Sequence, residues 1–222
     1  MTRGKLIAFI GIDGSGKTTQ TSILINQLKK NKKKVVQINA FSYLLLRFLI
    51  NFLKKKSKKE SKENNPLLNY EKKCLIFNLF PVFALIDNWL FFLTKILPVL
   101  YKNDYVVCDR YFYDFGPSYL EFGYGNLPII KFYLKFLPRP DFTFWLNLPA
   151  KEAFTRKKEF NLGFIKSLGK KYLLLFENWK SVFEIDGRES EKKISRIVFE
   201  TIFNHKCELC SSKKRHIIFK KK

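Results

Sequence analysis

Acidic residues, cysteines and uninterrupted apolar runs are the scarce features of this 222-residue chain. Nineteen Asp and Glu stand against 42 Lys and Arg, a formal charge of +23. That surplus favours phosphorylated ligands, nucleic acid or an anionic membrane surface, and does not choose among them. Heavy use of Lys throughout makes a plain solvated basic surface an equally direct reading of the count. The four cysteines, Cys74, Cys108, Cys207 and Cys210, are scattered and follow no secretory leader. This fits a reducing, cytoplasmic setting better than a disulfide framework. Long apolar stretches are limited to Phe41–Leu53 and Leu75–Leu100. The second has the length of a bilayer span but contains Pro81, Asp87, Asn88, Lys95 and Pro98. A central Asp costs roughly 2.5–3.5 kcal/mol on insertion scales, so we expect a buried core helix with one polar face.

What is present is a full core. At 46% apolar composition the chain can bury one domain's interior, and short apolar runs alternate with longer amphipathic stretches in the manner of βαβ units. Strands are expected at Leu6–Ile10, Val35–Ile38, Tyr105–Cys108, Phe142–Leu146 and Val182–Ile185. Helices are expected at about 17–30, 41–53, 67–101, 127–136, 150–157, 165–179 and 190–204. The fold class is therefore α/β: a three-layer, doubly wound, parallel five-stranded sheet, with ligands at the carboxyl ends of the strands. One domain spans residues 1–204. Within it Lys54–Lys62 carries six lysines and almost nothing apolar, which marks residues 54–65 as an exposed loop. Residues 205–222 form a basic tail.

The chemistry is concentrated in residues 11–18, Gly11-Ile12-Asp13-Gly14-Ser15-Gly16-Lys17-Thr18, which fit the pattern G-x-x-x-x-G-K-[ST] directly after an apolar strand and before a helix. Backbone N–H groups must turn inward around phosphates, and the loop's glycines allow it. The nucleotide-binding residues are thus Gly11, Ile12, Asp13, Gly14, Ser15, Gly16, Lys17, Thr18 and Thr19. Lys17 would neutralise the β- and γ-phosphates, Thr18 would ligate Mg²⁺, and the following helix adds its positive end.

A second constellation closes the strand Tyr105-Val106-Val107-Cys108, which runs into Asp109-Arg110-Tyr111 at the same edge of the sheet. An Asp there can hold Mg²⁺, and an adjacent Arg can grip a phosphate with two parallel hydrogen bonds. The two could instead pair with each other; the phosphate loop favours the catalytic reading.

In these segments the chain resembles the thymidylate kinases and their divergent relatives among the phosphate-loop nucleoside monophosphate kinases. The match runs through Ile10 to Gln20, Val107 to Tyr111, Pro140 to Leu146 with Pro149 to Ala153, and Val182 to Asp186, covering about residues 4–204. The resemblance implies transfer of the γ-phosphoryl of ATP to a nucleoside monophosphate, dTMP to dTDP, with Mg²⁺ bridging the phosphates. It assigns Lys17, Asp109, Arg110 and Arg156 to catalysis and Thr18 and Asp109 to the metal. Substrate binding falls to Asp13, Asp87, Asn88, Arg110 and Tyr111. It places a mobile basic lid at about 156–164, with Arg156-Lys157-Lys158 at its base, and implies a homodimer. Two family features are absent: the stretch after the second strand reads Asn39-Ala40-Phe41-Ser42-Tyr43 where an acidic-proline-glycine turn is usual, and Ala84 and Asn88 stand where an aromatic and an arginine usually meet the acceptor.

Two alternatives remain open on the residues alone. One is a kinase for another nucleotide or a phosphorylated metabolite. The other is a catalytically decayed nucleotide-binding protein that uses its basic loop and tail to bind nucleic acid or an anionic membrane. Asp114 lies near the same sheet edge and could face substrate or solvent. Cys207-x-x-Cys210 with His205 and His216 is a weak zinc pattern, because structural sites usually show two ligand pairs.

Overall fold

A computed structural model describes residues 3–44 and 75–203. The lysine run, most of the helix expected over 41–53, Cys74, and the tail with its Cys and His residues lie outside them. Residues 41–44 themselves are not helical.

Five parallel strands, β1 (Lys5–Ile10), β2 (Val35–Ile38), β3 (Tyr105–Asp109), β4 (Phe142–Asn147) and β5 (Phe183–Asp186), form one sheet in the order β2-β3-β1-β4-β5. The helices are α1 (Lys17–Lys30), α2 (Leu75–Phe91), α3 (Phe115–Phe122), α4 (Leu127–Phe136), α5 (Ala150–Arg156), α6 (Leu162–Phe176) and α7 (Glu191–Phe203). The central strand β1 is apolar at every position after Lys5 because both its faces are covered. Side chains alternate across a strand, so Leu6, Ala8 and Ile10 enter one core while Ile7 and Phe9 enter the other. The second core lies under α1 and α7, through Leu24, Leu28, Ile194 and Val198. The first is the larger and strongly aromatic, built around Tyr111, Phe112, Tyr133, Trp145 and Tyr172.

The register sets the site. Phe9 pairs with Asp109 and Ile10 with Trp145, so the loop after β1 emerges between the carboxyl ends of β3 and β4. The chain leaves β1 for β2, returns to β3 beside β1, and only then crosses to β4. Ligand sites in open α/β sheets lie at such points of reversal.

Helix α3 was not expected from the sequence, since Gly116-Pro117 reads as a turn. In fact Pro117 falls in the helix's first turn, where its missing N–H costs nothing. Helix α2 differs from expectation in another way. It continues through a π-helical turn (Phe92–Ile96) to Leu100, and Asn78–Leu100 is long and apolar enough to cross a membrane by length and composition. Only one face is buried, and that face carries the polar pair Asp87 and Asn88 beside Pro81 and Ala84. Leu79, Phe83, Ile86, Trp89 and Leu93 are 40–58% exposed.

Phe144 on β4 is fully buried, stacked near Phe9 at 5.5 Å between ring centroids. Phe144→Ala is expected to cost about 3–5 kcal/mol, a large share of a typical domain's stability, read as a lower midpoint in urea unfolding.

Candidate active site

The loop from Gly11 to Gly16 turns with positive φ at Gly11, Gly14 and Gly16. Gly14 is the tightest: a Cβ there would lie 2.6 Å from the carbonyl oxygen of Ala153, so the loop can pack on α5 only without a side chain. Gly16 then caps α1 with no side-chain acceptor, leaving the helix's first N–H groups directed at the cavity.

Lys17 is buried and folded back on the loop. Its Nζ donates to the carbonyl oxygens of Gly11 at 2.8 Å and Ile12 at 2.7 Å. Burial pushes the ammonium below the usual lysine range, opposed by the carboxylates of Asp114 and Asp109. Thr18 donates from Oγ1 to Asp109 Oδ2 at 2.7 Å, tying the start of α1 to the tip of β3. A hydroxyl and a carboxylate side by side at the cavity rim are the hard oxygen donors that Mg²⁺ takes, so these two residues fit the ion. Among the described residues no group of three or more His, Cys, Asp or Glu is gathered.

Arg110 adopts φ 74°, a left-handed backbone uncommon for a residue with a side chain. Its N–H donates to Phe9 O at 3.1 Å, its guanidinium pairs with Asp13, and it lies over the Phe41 ring at 5.2 Å. The alternative pairing of Asp109 with Arg110 is therefore not the one adopted: each pairs with a residue of the phosphate loop or α1.

Two cavities open here. One, of about 750 Å³, runs along the loop past Lys17, Thr18, Thr19, Asp109 and Arg156 to Arg188. The other, of about 390 Å³, is walled by Phe41, Phe122, Phe160 and Phe164 and floored by Gly11, Ile12 and Tyr172. Asp13 and Arg110 line both.

The remaining expected site residues divide. Arg156 and Lys157 both line the larger cavity; Arg156 donates to Gly187 O at 3.2 Å and Lys157 pairs with Glu159. Asp87, Asn88 and Tyr111, expected against substrate, line neither of these two cavities. Asp87 accepts from Leu44 N at 2.7 Å, Asn88 donates to Tyr133 Oη at 2.7 Å, and Tyr111 donates to Pro138 O at 2.8 Å. All three are buried, and these bonds tie them to neighbouring elements; Asn88 Oδ1 has no hydrogen-bond partner among the described residues. Asp114 faces neither substrate nor solvent: it is buried behind the phosphate loop.

Several lining residues were missed. Arg188 follows β5, where its guanidinium grips Asp186 and holds that carboxyl below its usual range. The rule that sites lie at carboxyl ends of strands could have found it. Phe41, Ser118 and Phe164 carry no local signal; only the tertiary fold assembles them.

Comparison with known proteins finds thymidylate kinases. A thymidylate kinase from Prochlorococcus marinus (strain MIT 9301) is 31% identical over 226 residues, covering 91% of this chain and 97% of the relative. The chain belongs to the thymidylate kinase family. A probable thymidylate kinase from Pyrococcus abyssi is 29% identical over 208 residues, with 86% and 92% of the two chains covered. The structure of thymidylate kinase from Candida albicans superimposes with a TM-score of 0.63 at 21% identity, covering 92% of this chain and 93% of that one. No protein-family model matches the chain. The fold shared with that thymidylate kinase is the five-stranded α/β arrangement expected from the sequence.

The buried ammonium yields a test. Because Lys17 binds its proton less tightly in the folded chain, the unfolded chain holds more protons between the lowered value and 10.5. The penalty is full below that window and vanishes as pH rises through it. The stability of the wild type relative to Lys17→Met should therefore climb with pH across the window, as read by paired urea titrations.

Proposed function

We infer that this chain transfers the γ-phosphoryl group of ATP to dTMP, forming ADP and dTDP, with Mg²⁺ as cofactor and in the cytoplasm. One observation carries the reading: a phosphate-loop cavity and an aromatic-walled cavity meet at Asp13 and Arg110. The thymidylate kinase names of the relatives supply the acceptor.

ATP would lie in the larger cavity, its phosphates on the loop N–H groups and the N-terminus of α1. Lys17 would exchange its two carbonyl partners for β- and γ-phosphate oxygens. Thr18 and Asp109 would hold Mg²⁺, which supplies charge neutralisation on the phosphates when bound. The acceptor would enter the smaller cavity with its base among Phe41, Phe122 and Phe164 and its phosphate on Arg110, whose orientation Asp13 and Phe41 fix beforehand. With the two phosphates facing each other across Arg110, phosphoryl transfer needs positioning and charge stabilisation more than covalent chemistry. Arg156 would add positive charge as a lid at about 156–164 closes over the site and excludes water. With Ala84 and Asn88 directed into the core, base selection would fall to the smaller cavity's walls.

Second, a homodimer would cover the apolar stripe of α2. Leu79, Phe83, Ile86, Trp89 and Leu93 are spaced 4, 3, 3, 4, so the stripe is symmetric about Ile86 and about 21 Å long at 1.5 Å per residue. An antiparallel copy related by a two-fold axis at Ile86 sets Leu79 against Leu93 and Phe83 against Trp89, a self-complementary interface.

A coupled ADP-release assay over dTMP, dUMP and other monophosphates should show dTMP-dependent turnover. Lys17→Ala should lower it on the order of 100-fold or more with the fold intact; equal rates in both proteins would refute the assignment. Light scattering should give twice the 26.4 kDa chain mass, and Ile86→Arg, which opposes like charges at the axis, should halve it. A monomeric wild type that floats with anionic vesicles would instead assign the stripe to a membrane surface.

A further inference from the structure

Behind the phosphate loop lies a buried polar cluster centred on Asp114, which lines neither cavity. Asp114 is 1% exposed, yet its carboxylate is fully engaged. Oδ1 accepts from the Gly11 N–H at 3.0 Å and from the Tyr172 hydroxyl at 2.5 Å, and Oδ2 accepts from the Tyr111 N–H at 3.0 Å. The Tyr172 hydroxyl also lies 3.2 Å from Gly11 O, the carbonyl that Lys17 holds at 2.8 Å. The first peptide group of the phosphate loop is thus held on both sides, by Asp114 at the N–H of Gly11 and by Lys17 at its carbonyl, with the Tyr172 hydroxyl bonded to Asp114 and within reach of that carbonyl.

The three participants come from distant parts of the chain. Gly11 opens the loop, Asp114 closes the 3₁₀ turn (Phe112–Asp114) that follows Asp109 and Arg110, and Tyr172 stands on α6. Helix α6 begins just after the segment 157–161 and sends Phe164, Leu168 and Tyr172 to the wall of the smaller cavity. A hydroxyl has one proton. While Lys17 occupies the Gly11 carbonyl, the Tyr172 proton is best used on Asp114. Once Lys17 turns to a phosphate, Tyr172 is within reach of the vacated carbonyl. Burial keeps Tyr172 protonated and so able to donate in either arrangement.

We propose that Asp114 and Tyr172 are positioning residues that lock the phosphate loop to the wall of the acceptor cavity, so that filling one nucleotide site sets the geometry of the other. This builds on the kinase reading above. Neither residue touches the reacting atoms. They act through Gly11, Lys17 and α6, and the coupling between sites is reciprocal by linkage.

The test uses the full chain and Tyr172→Phe, which deletes the hydroxyl but keeps the ring packed on Trp145 and Phe176. In the wild type, dTMP should tighten binding of a non-hydrolysable ATP analogue severalfold in calorimetry. In Tyr172→Phe that enhancement should disappear, and kcat should fall about tenfold, while KM for ATP and the thermal midpoint stay near wild type. Asp114→Asn, which keeps an acceptor but removes the charge, should show the same direction. Because that variant could lose stability, its effect is read as kcat per folded molecule. Absence of coupling in the wild type, or unchanged coupling and kcat in Tyr172→Phe, would overturn the proposal. So would losses that merely track the folded fraction. If the wild type phosphorylated no monophosphate, the functional reading would fail by itself. The lock would still be read without turnover, from slow hydrogen exchange at the Gly11 amide that accelerates in Asp114→Asn; equal exchange in both would overturn it.

Discussion

The double burial of β1 is the constraint on which the site depends. A strand sealed on both faces by two apolar cores cannot shift its register without exposing one set of side chains, so its carboxyl end is a fixed point. From that point the loop departs, and Asp109 and Trp145 are held opposite the strand's last residues. Phosphate recognition by N–H groups requires such fixity, because the donors must already be aimed when the ligand arrives. The strained Arg110 backbone persists for the same reason: its N–H is tied to Phe9 and its side chain is sandwiched between Asp13 and Phe41.

What could be read from the sequence was what a short segment encodes by itself. The phosphate loop, the strand ending in Asp109-Arg110, and all five strands follow from runs of a few residues, and each lies within a residue or so of its expected place. Helix α3 escaped because Gly116-Pro117 carries a local turn signal that packing against α4 and α6 overrides. Asp87 and Asn88 allowed two readings, a polar face towards a site or a buried pair satisfied within the core. The sequence pattern does not choose between them; in the fold each bonds a neighbouring element, Asp87 the Leu44 amide and Asn88 the Tyr133 hydroxyl.

The grouping of the aromatic cavity was beyond sequence reasoning. Phe41, Phe122, Phe160 and Phe164 come from three separate regions, and with 24 phenylalanines in the chain nothing marks these four as lining residues. The long helix α2 was half legible: its length and polarity were apparent, but not that its buried face is the polar one. That inversion follows from what surrounds it, since Tyr133 and the Leu44 amide offer partners on the inside.

The inward fold of Lys17 has a bearing on selectivity among anions. With its ammonium already satisfied by two carbonyls, the empty loop presents a partly self-quenched charge. A small, singly bound anion such as chloride would have to break those bonds with little in return. A chain of linked phosphates can engage several loop amides as well as the lysine, so the retracted side chain favours polyphosphates over small anions.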